Sequence, residues 1–380
     1  MIRSSRLREL LAENYLLLAI LVGVVLVSVS IGPFVNGDVD WEYSAALGVI
    51  RWGMPYAFTF GNMMNQPPLG FYVAALFFIF FGSSIDTGVV LMTFLGLGCI
   101  MAVYKIGDTL YGKPTGLVAA VLFALSPWEL VLSRTFLIDM QCLFFSLLCL
   151  LVGIYAIRKD SFKLALVSGT LFAAAFLTKL FAVYTVIPLM LLFMYYRPKK
   201  LKRALSLLIA FLLPGILFTL LWYHAFSGQG LLSVISHDDF GDYNSAGIVP
   251  SYFFVGNFLL NYALGVFFVS AAFSSLLFCF FRRKLFSKVV AFDLICLATI
   301  MLIVAVNTFL GAGLNLKSPY NNAIKYDYQA LPFFSLLAAS LVGKCLSLFY
   351  SAKTKKKTAQ SAHPVCRFCR TVSARSNDIC

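Results

Sequence analysis

Three acidic residues within five positions, Asp38, Asp40 and Glu42, stand in a polar stretch from Asn36 to Pro68 that follows the first apolar run of the chain. Carboxylates so placed can supply a general base for a hydroxyl acceptor, or oxygen ligands for a divalent cation. They can equally cap a helix and solubilise a loop. The spacing D-x-D-x-E arises often by chance and leaves these readings open. Asp40 reads as the N-cap of a short helix with Glu42 in its first turn. Tyr43, Leu47 and Ile50 then share one face, which suits a helix lying on a membrane surface. The double proline of N-Q-P-P-L leads back into apolar sequence.

A second set of ionisable residues lies in L-S-P-W-E-L-V-L-S-R-T-F-L-I-D-M, residues 125–140. Arg134 and Asp139 are five apart, too far for a pair on one helical turn. Arg134 either meets an anion or snorkels to an interface, and Asp139 either serves a site or caps the next helix. Lys179 stands alone between apolar runs 164–178 and 180–196, which together are too long for one crossing, so it lies near the apex of a hairpin. An ammonium there binds a phosphate or snorkels. His237-Asp238-Asp239 offers a metal or acceptor contact, or is a plain polar loop. Cys366 and Cys369 form C-x-x-C without a second pair, which argues against zinc. The motifs of P-loops, dinucleotide sites, zinc proteases and serine hydrolases are absent.

These groups need a scaffold, and composition names its class. The chain has 380 residues, of which 61% are hydrophobic and 12% charged, with 38 Phe. Its mean hydropathy is +0.88. Apolar runs occur near 15–34, 69–81, 87–104, 116–133, 140–157, 164–178, 180–196, 204–226, 257–281, 289–311 and 328–350. That pattern is an all-α polytopic membrane protein. The first run is expected to remain as an anchor. Six of the nine Cys lie inside apolar runs, where they act as small hydrophobes.

The net charge of +14 does not indicate nucleic acid, because the basic residues cluster in short loops between apolar runs. The positive-inside rule wants those loops cytoplasmic. That is impossible if every run crosses, whereas run 69–81, at 13 residues, is short enough to lie in the outer interface. About ten spans then remain, both termini are cytoplasmic, and 25 of the 30 Lys/Arg fall inside. Arg51, Arg134, Lys179, Lys317 and Lys325 are left outside with ten acids: Asp38, Asp40, Glu42, Asp86, Glu129, Asp139, Asp238, Asp239, Asp242 and Asp327. The outer face reads as a charged cavity. It is built from a first loop at 35–86, a second at 133–139 and a third at 227–256. Residues 351–380 form a basic, disordered cytoplasmic tail that faces membrane lipids.

In order and spacing across roughly residues 15–345, these pieces resemble the GT-C glycosyltransferases, in particular the protein O-mannosyltransferase and lipid A aminoarabinose transferase group. The matching pieces are the acidic first loop, N-Q-P-P-L-G-F-Y, L-F-A-L-S-P followed by S-R-T-F-L-I-D-M, F-L-T-K-L, and K-Y-D-Y-Q-A-L-P-F-F. The resemblance implies a bundle with interfacial helices in the first outer loop. It implies transfer of a sugar from a polyprenyl-phosphate carrier to a hydroxyl on a protein, lipid or glycan, at the outer or lumenal face. Asp40 or Asp38 would be the base, and Asp139 would position donor or acceptor. Arg134, Lys179 and Lys325 would neutralise the leaving phosphate, and Glu42, Tyr43 and His237 would complete the substrate contacts. A divalent cation, where one is used, would take Asp38, Asp40 and Asp139; no other cofactor and no nucleic acid is implied. Two departures stand out: Gln66 replaces a lysine that relatives often carry, and D-x-D-x-E replaces an adjacent acidic pair. The rival class is a transporter or lipid flippase. It would want broken helices and mid-membrane charges, with repeats in the two halves.

Overall fold

The computed structural model describes residues 15–27, 33, 37–64, 66–196, 201–226, 273–275, 277, 287–309 and 328–345. Its elements are almost all helical. Helix α1 (Tyr15–Val27) precedes α2 (Gly37–Trp52), a two-stranded antiparallel hairpin of β1 (Tyr56–Ala57) and β2 (Asn62–Met63), and α3 (Leu69–Phe81). The bundle continues through α4 (Ile85–Tyr111), α5 (Lys113–Ala124), α6 (Pro127–Ser133), α7 (Ile138–Lys159) and α8 (Phe162–Thr178). A 3₁₀ turn (Leu180–Thr185) leads to α9 (Val186–Tyr196) and α10 (Leu201–Phe226). Helix α11 (Ser287–Phe309) and a final helix at 331–345, α12, complete the described elements.

Most helix bounds follow the apolar runs, but two expectations are corrected. Helix α2 begins at Gly37, so Asp40 is not its N-cap: Asp38 and Asp40 both fall in the first turn, with Glu42 one turn later. Free N–H groups and the positive end of the helix dipole favour carboxylates there. Run 116–133 is not one straight span. It is broken at Leu125–Ser126, where α5 and α6 meet at 65°. Pro127 opens α6 and forces Ser126 into an extended conformation (φ −66°, ψ 131°), ending α5. Among the described residues, α4, α7 and Leu201–Trp222 of α10 are long and apolar enough to cross a bilayer, and the bent pair α5–α6 makes a fourth candidate. Run 257–281 lies largely outside the described residues.

Helix α3 lies across one end of the bundle. Near its start, Gly70 packs so closely on Ile138 that an added methyl would stand 2.7 Å from that side chain. Near its other end, Phe78 meets Phe136 at 5.5 Å. Both partners flank the start of α7. The short run expected to stay in the interface therefore has both ends at the same end of the bundle. Helix α2 covers it, with Tyr43 donating to Ser83 O (2.9 Å) and Tyr72 donating to Gly53 O (2.7 Å).

The basic residues described in the inter-helix turns gather at the opposite end. Gly112, at φ +98°, turns α4 into α5 beside Lys105 and Lys113. Arg203 pairs with Asp160 in the α7–α8 turn (3.0 Å), and Arg158 donates to Tyr196 Oη (2.8 Å). Tyr111 reaches Cys296 of α11. Charge sorting between short loops thus appears as a two-ended bundle.

Candidate functional site

The start of α7 is where the site assembles. Leu137 precedes it and has no side chain able to cap the free N–H groups of the first turn. Glu42 supplies that cap from α2: its Oε2 accepts from Ile138 N at 2.7 Å, and the residue is only 3% exposed. A carboxylate on a helix N-terminus is a strong, charge-assisted contact. It fixes the acidic helix onto the second loop.

One residue on, buried Asp139 accepts from Lys179 Nζ at 2.7 Å. Lys179 can reach it because the chain between α8 and the 3₁₀ turn is extended there (φ −158°, ψ 139°). Around this pair, Gln141 Nε2 donates to Gly70 O (3.2 Å) and Cys142 Sγ to Lys179 O (3.7 Å). Gln329 Nε2 donates to Cys142 Sγ (3.3 Å) and to Tyr328 Oη (3.0 Å). The ends of α3, α7, α8 and the segment before α12 thereby converge on one buried polar cluster.

Arg134, the residue that ends α6, is buried. Burial pulls its guanidinium below its ordinary pKa, against the Asp86 carboxylate at the start of α4. Burial likewise raises the Tyr43 phenol despite the charge of Arg51, so the phenol remains a proton donor. Asp38 is half-buried and Asp40 exposed in the first turn of α2. In the segments that meet here, Trp41 Nε1, Gln66 Oε1, Asp139 Oδ1 and Gln141 Oε1 have no hydrogen-bond partner among the described residues. Buried polar atoms left unpaired in this way mark places that take water or a ligand.

The sequence candidates thus divide. The structure links Glu42, Asp139 and Lys179 through the start of α7, keeps Arg134 buried at the end of α6, and sets Tyr43 on Phe78 and Phe136. Among the described residues no three of His, Cys, Asp and Glu come together as a metal-binding group, so Asp38, Asp40 and Asp139 are not gathered. Lys325 and His237 lie outside the described residues. Sequence reasoning missed Gln141, Cys142, Tyr328 and Gln329. The last two belong to K-Y-D-Y-Q, whose polar run entering an apolar segment was the available signal.

The chain is similar to known proteins in sequence and in fold. The family model described as dolichyl-phosphate-mannose-protein mannosyltransferase matches residues 65–223. The putative mannosyltransferase YycA of Bacillus subtilis is 25% identical over 130 residues, which are 34% of this chain and 19% of that protein. The structure of ArnT from Cupriavidus metallidurans bound to undecaprenyl phosphate superposes with a TM-score of 0.66 at 15% identity, over 88% of this chain and 60% of that one. The chain shares the fold of ArnT. Arabinosyltransferase EmbB from Mycobacterium smegmatis shares the GT-C fold at a TM-score of 0.55 and 14% identity, over 86% of this chain and 30% of its own. This chain spans about a fifth of the curated relative and three fifths of ArnT.

Proposed function

We propose that this protein is an integral-membrane glycosyltransferase that moves a sugar from a polyprenyl-phosphate donor to a hydroxyl acceptor. The observation that carries the reading is the Glu42–Ile138 contact, which fixes the acidic helix α2 to the start of α7, where Asp139 pairs with Lys179. The GT-C fold, the mannosyltransferase family match and an ArnT structure holding undecaprenyl phosphate support it. Residues 1–350 form the catalytic unit in this reading, and 351–380 a basic tail.

The chemistry asks for two things. A base takes the acceptor proton while the acceptor oxygen bonds to the anomeric carbon. The bond from that carbon to the phosphate oxygen breaks, and its electron pair leaves with the lipid phosphate. Asp40, exposed in the first turn of α2, is placed as the base, with Asp38 beside it. Arg134 and Lys179 take up the growing phosphate charge, Arg134 through the two parallel hydrogen bonds that a guanidinium can make. Asp139 holds Lys179 in position until donor arrives.

Turnover of a lipid-phosphate sugar by purified protein tests the phosphate roles. Arg134→Ala is expected to lose about 3 kcal/mol of transition-state stabilisation, roughly a hundredfold in rate, as when one anion-stabilising donor is removed. Arg134→Lys keeps the charge, loses the paired geometry and should fall between. Wild-type turnover in Arg134→Ala would make Arg134 a structural boundary residue.

In this reading the positive-inside rule orients the site away from the cytoplasm, because the basic residues described between helices lie at the other end of the bundle. Ser83 follows α3 and carries the carbonyl that meets Tyr43. A cysteine there is expected to react with a membrane-impermeant maleimide added from outside. Reaction only after the membrane is permeabilised would reverse the orientation.

A further inference from the structure

Helices α7 to α10 leave a cleft between them, toward the end of the bundle away from the Asp139–Lys179 pair. It holds about 460 Å³ of empty space, part of it open to the surroundings. Met190 lines it and is 42% exposed, so the cleft opens on the flank of the bundle. Side-chain size is the cause. Gly153, Ala156, Ala165 and Ser168 of α7 and α8 are small, and they leave a gap before Phe193 of α9 and Leu207 of α10. The Ser168 hydroxyl already donates to Cys149 O (2.8 Å), so the walls offer hydrocarbon. Along α9 the lining runs from Val186 to Phe193, about 10 Å of helix.

One helical turn past the cleft the chemistry changes. On α10, Arg203 stands four residues before Leu207 and shares its face. On α9, Tyr196 stands three residues after Phe193, and its hydroxyl accepts from Arg158 Nε of α7 (2.8 Å). Arg203 donates through Nε to Asp160 Oδ1 (3.0 Å) and through a terminal nitrogen to Asp160 O. These contacts hold two exposed guanidinium groups at the head of the cleft, each with further N–H donors to give. Residues 158–163 and 201–203 carry five basic side chains and one acid.

The depth agrees with the chemistry. The candidate spans Ile138–Lys159 and Leu201–Trp222 both have an end at this level. The arginines therefore stand where the phosphates of a bilayer lie, and the cleft where its hydrocarbon begins. We infer that the cleft between α7, α8, α9 and α10 binds one anionic membrane phospholipid, with an acyl chain in the apolar slot and the phosphate on Arg158 and Arg203. Guanidinium groups suit a phosphate, and the net positive mouth favours phosphatidylglycerol over a zwitterionic lipid with the same chains. The site is remote from α2 and the start of α7, and it does not rest on sugar transfer.

The test reconstitutes the full chain in phosphatidylcholine liposomes with a trace of phosphatidylglycerol that carries a photoactivatable diazirine in its acyl chain. After illumination, labelled peptides are mapped by mass spectrometry. Label is expected to concentrate on Val186–Phe193 and on residues 207–211. Unlabelled phosphatidylglycerol in about tenfold excess over the probe should displace most of it, by mass action, despite the bulk phosphatidylcholine. The same excess of polyprenyl phosphate should displace little. Arg158→Gln combined with Arg203→Gln should lower the label about tenfold, and the paired Arg→Lys changes should fall between. Met190→Trp, which narrows the cleft at its lip without touching either arginine, should lose the label as well. Label spread evenly over exposed apolar faces, such as Val90 and Phe94 of α4, overturns the inference. So does stronger displacement by polyprenyl phosphate, which would give the cleft to an isoprenoid chain, or undiminished label in the paired Gln variant. The mapping and both competitions use the wild-type chain, so they decide the matter even where a variant fails to fold.

Discussion

Lys179→Ala is expected to destabilise the protein by about 3–5 kcal/mol and to remove donor turnover. The substitution leaves Asp139 buried with its counter-charge gone, the case in which breaking one side of an ion pair is most damaging. Asp139 is 1% exposed and its second oxygen already lacks a partner among the described residues, so nothing nearby takes over. Removing both charges separates the two effects. Lys179→Met combined with Asp139→Leu should recover most of the thermal midpoint, because an apolar pair of similar size replaces the ions, yet remain inactive. If the double substitution restored turnover as well, the pair would be structural and its place in the site would be withdrawn.

Asp40→Asn is expected to cut transfer by about 10² to 10⁴-fold, the usual range for loss of a general base. Asp40 is exposed in the first turn of α2, so the amide should leave folding and donor binding intact. Glu42→Gln is the contrasting case. It weakens the charge-assisted contact to Ile138 N, so its loss of activity should track loss of thermal stability. Near-normal turnover in Asp40→Asn together with loss in Asp38→Asn would pass the role to Asp38. Activity in both variants would remove the first loop from the chemistry.

What the sequence made legible was local. Helix α3 occupies the apolar run 69–81, because Pro68 and Gly82 bound it. Its place across one end of the bundle agrees with its short length. The break at Ser126 was written in the Ser-Pro step, but continuous hydrophobicity on both sides concealed it. Glu129 was placed on the outer side by the positive-inside count, and that it packs on Gly96 of α4 follows only from the 65° bend that folds α6 against α4. The long-range contacts were not legible at all. Glu42 and Ile138 are 96 residues apart, and Lys179 and Asp139 are 40 apart. No periodicity or propensity links such positions. The candidates on either side were visible one by one, whereas their pairing belongs to tertiary packing.

The central claim is that a lipid-phosphate sugar is consumed at the end of the bundle where α2 meets α7. The most direct measurement incubates the purified full chain, in liposomes, with radiolabelled polyprenyl-phosphate-linked sugars and a pool of hydroxyl acceptors. Free polyprenyl phosphate and labelled acceptor are then quantified together. The account predicts that both appear in equal amounts with at least one donor, and that both fall to background in Asp40→Asn and Lys179→Ala. Intact donor throughout, with the labelled lipid or a solute carried across the bilayer instead, would contradict it.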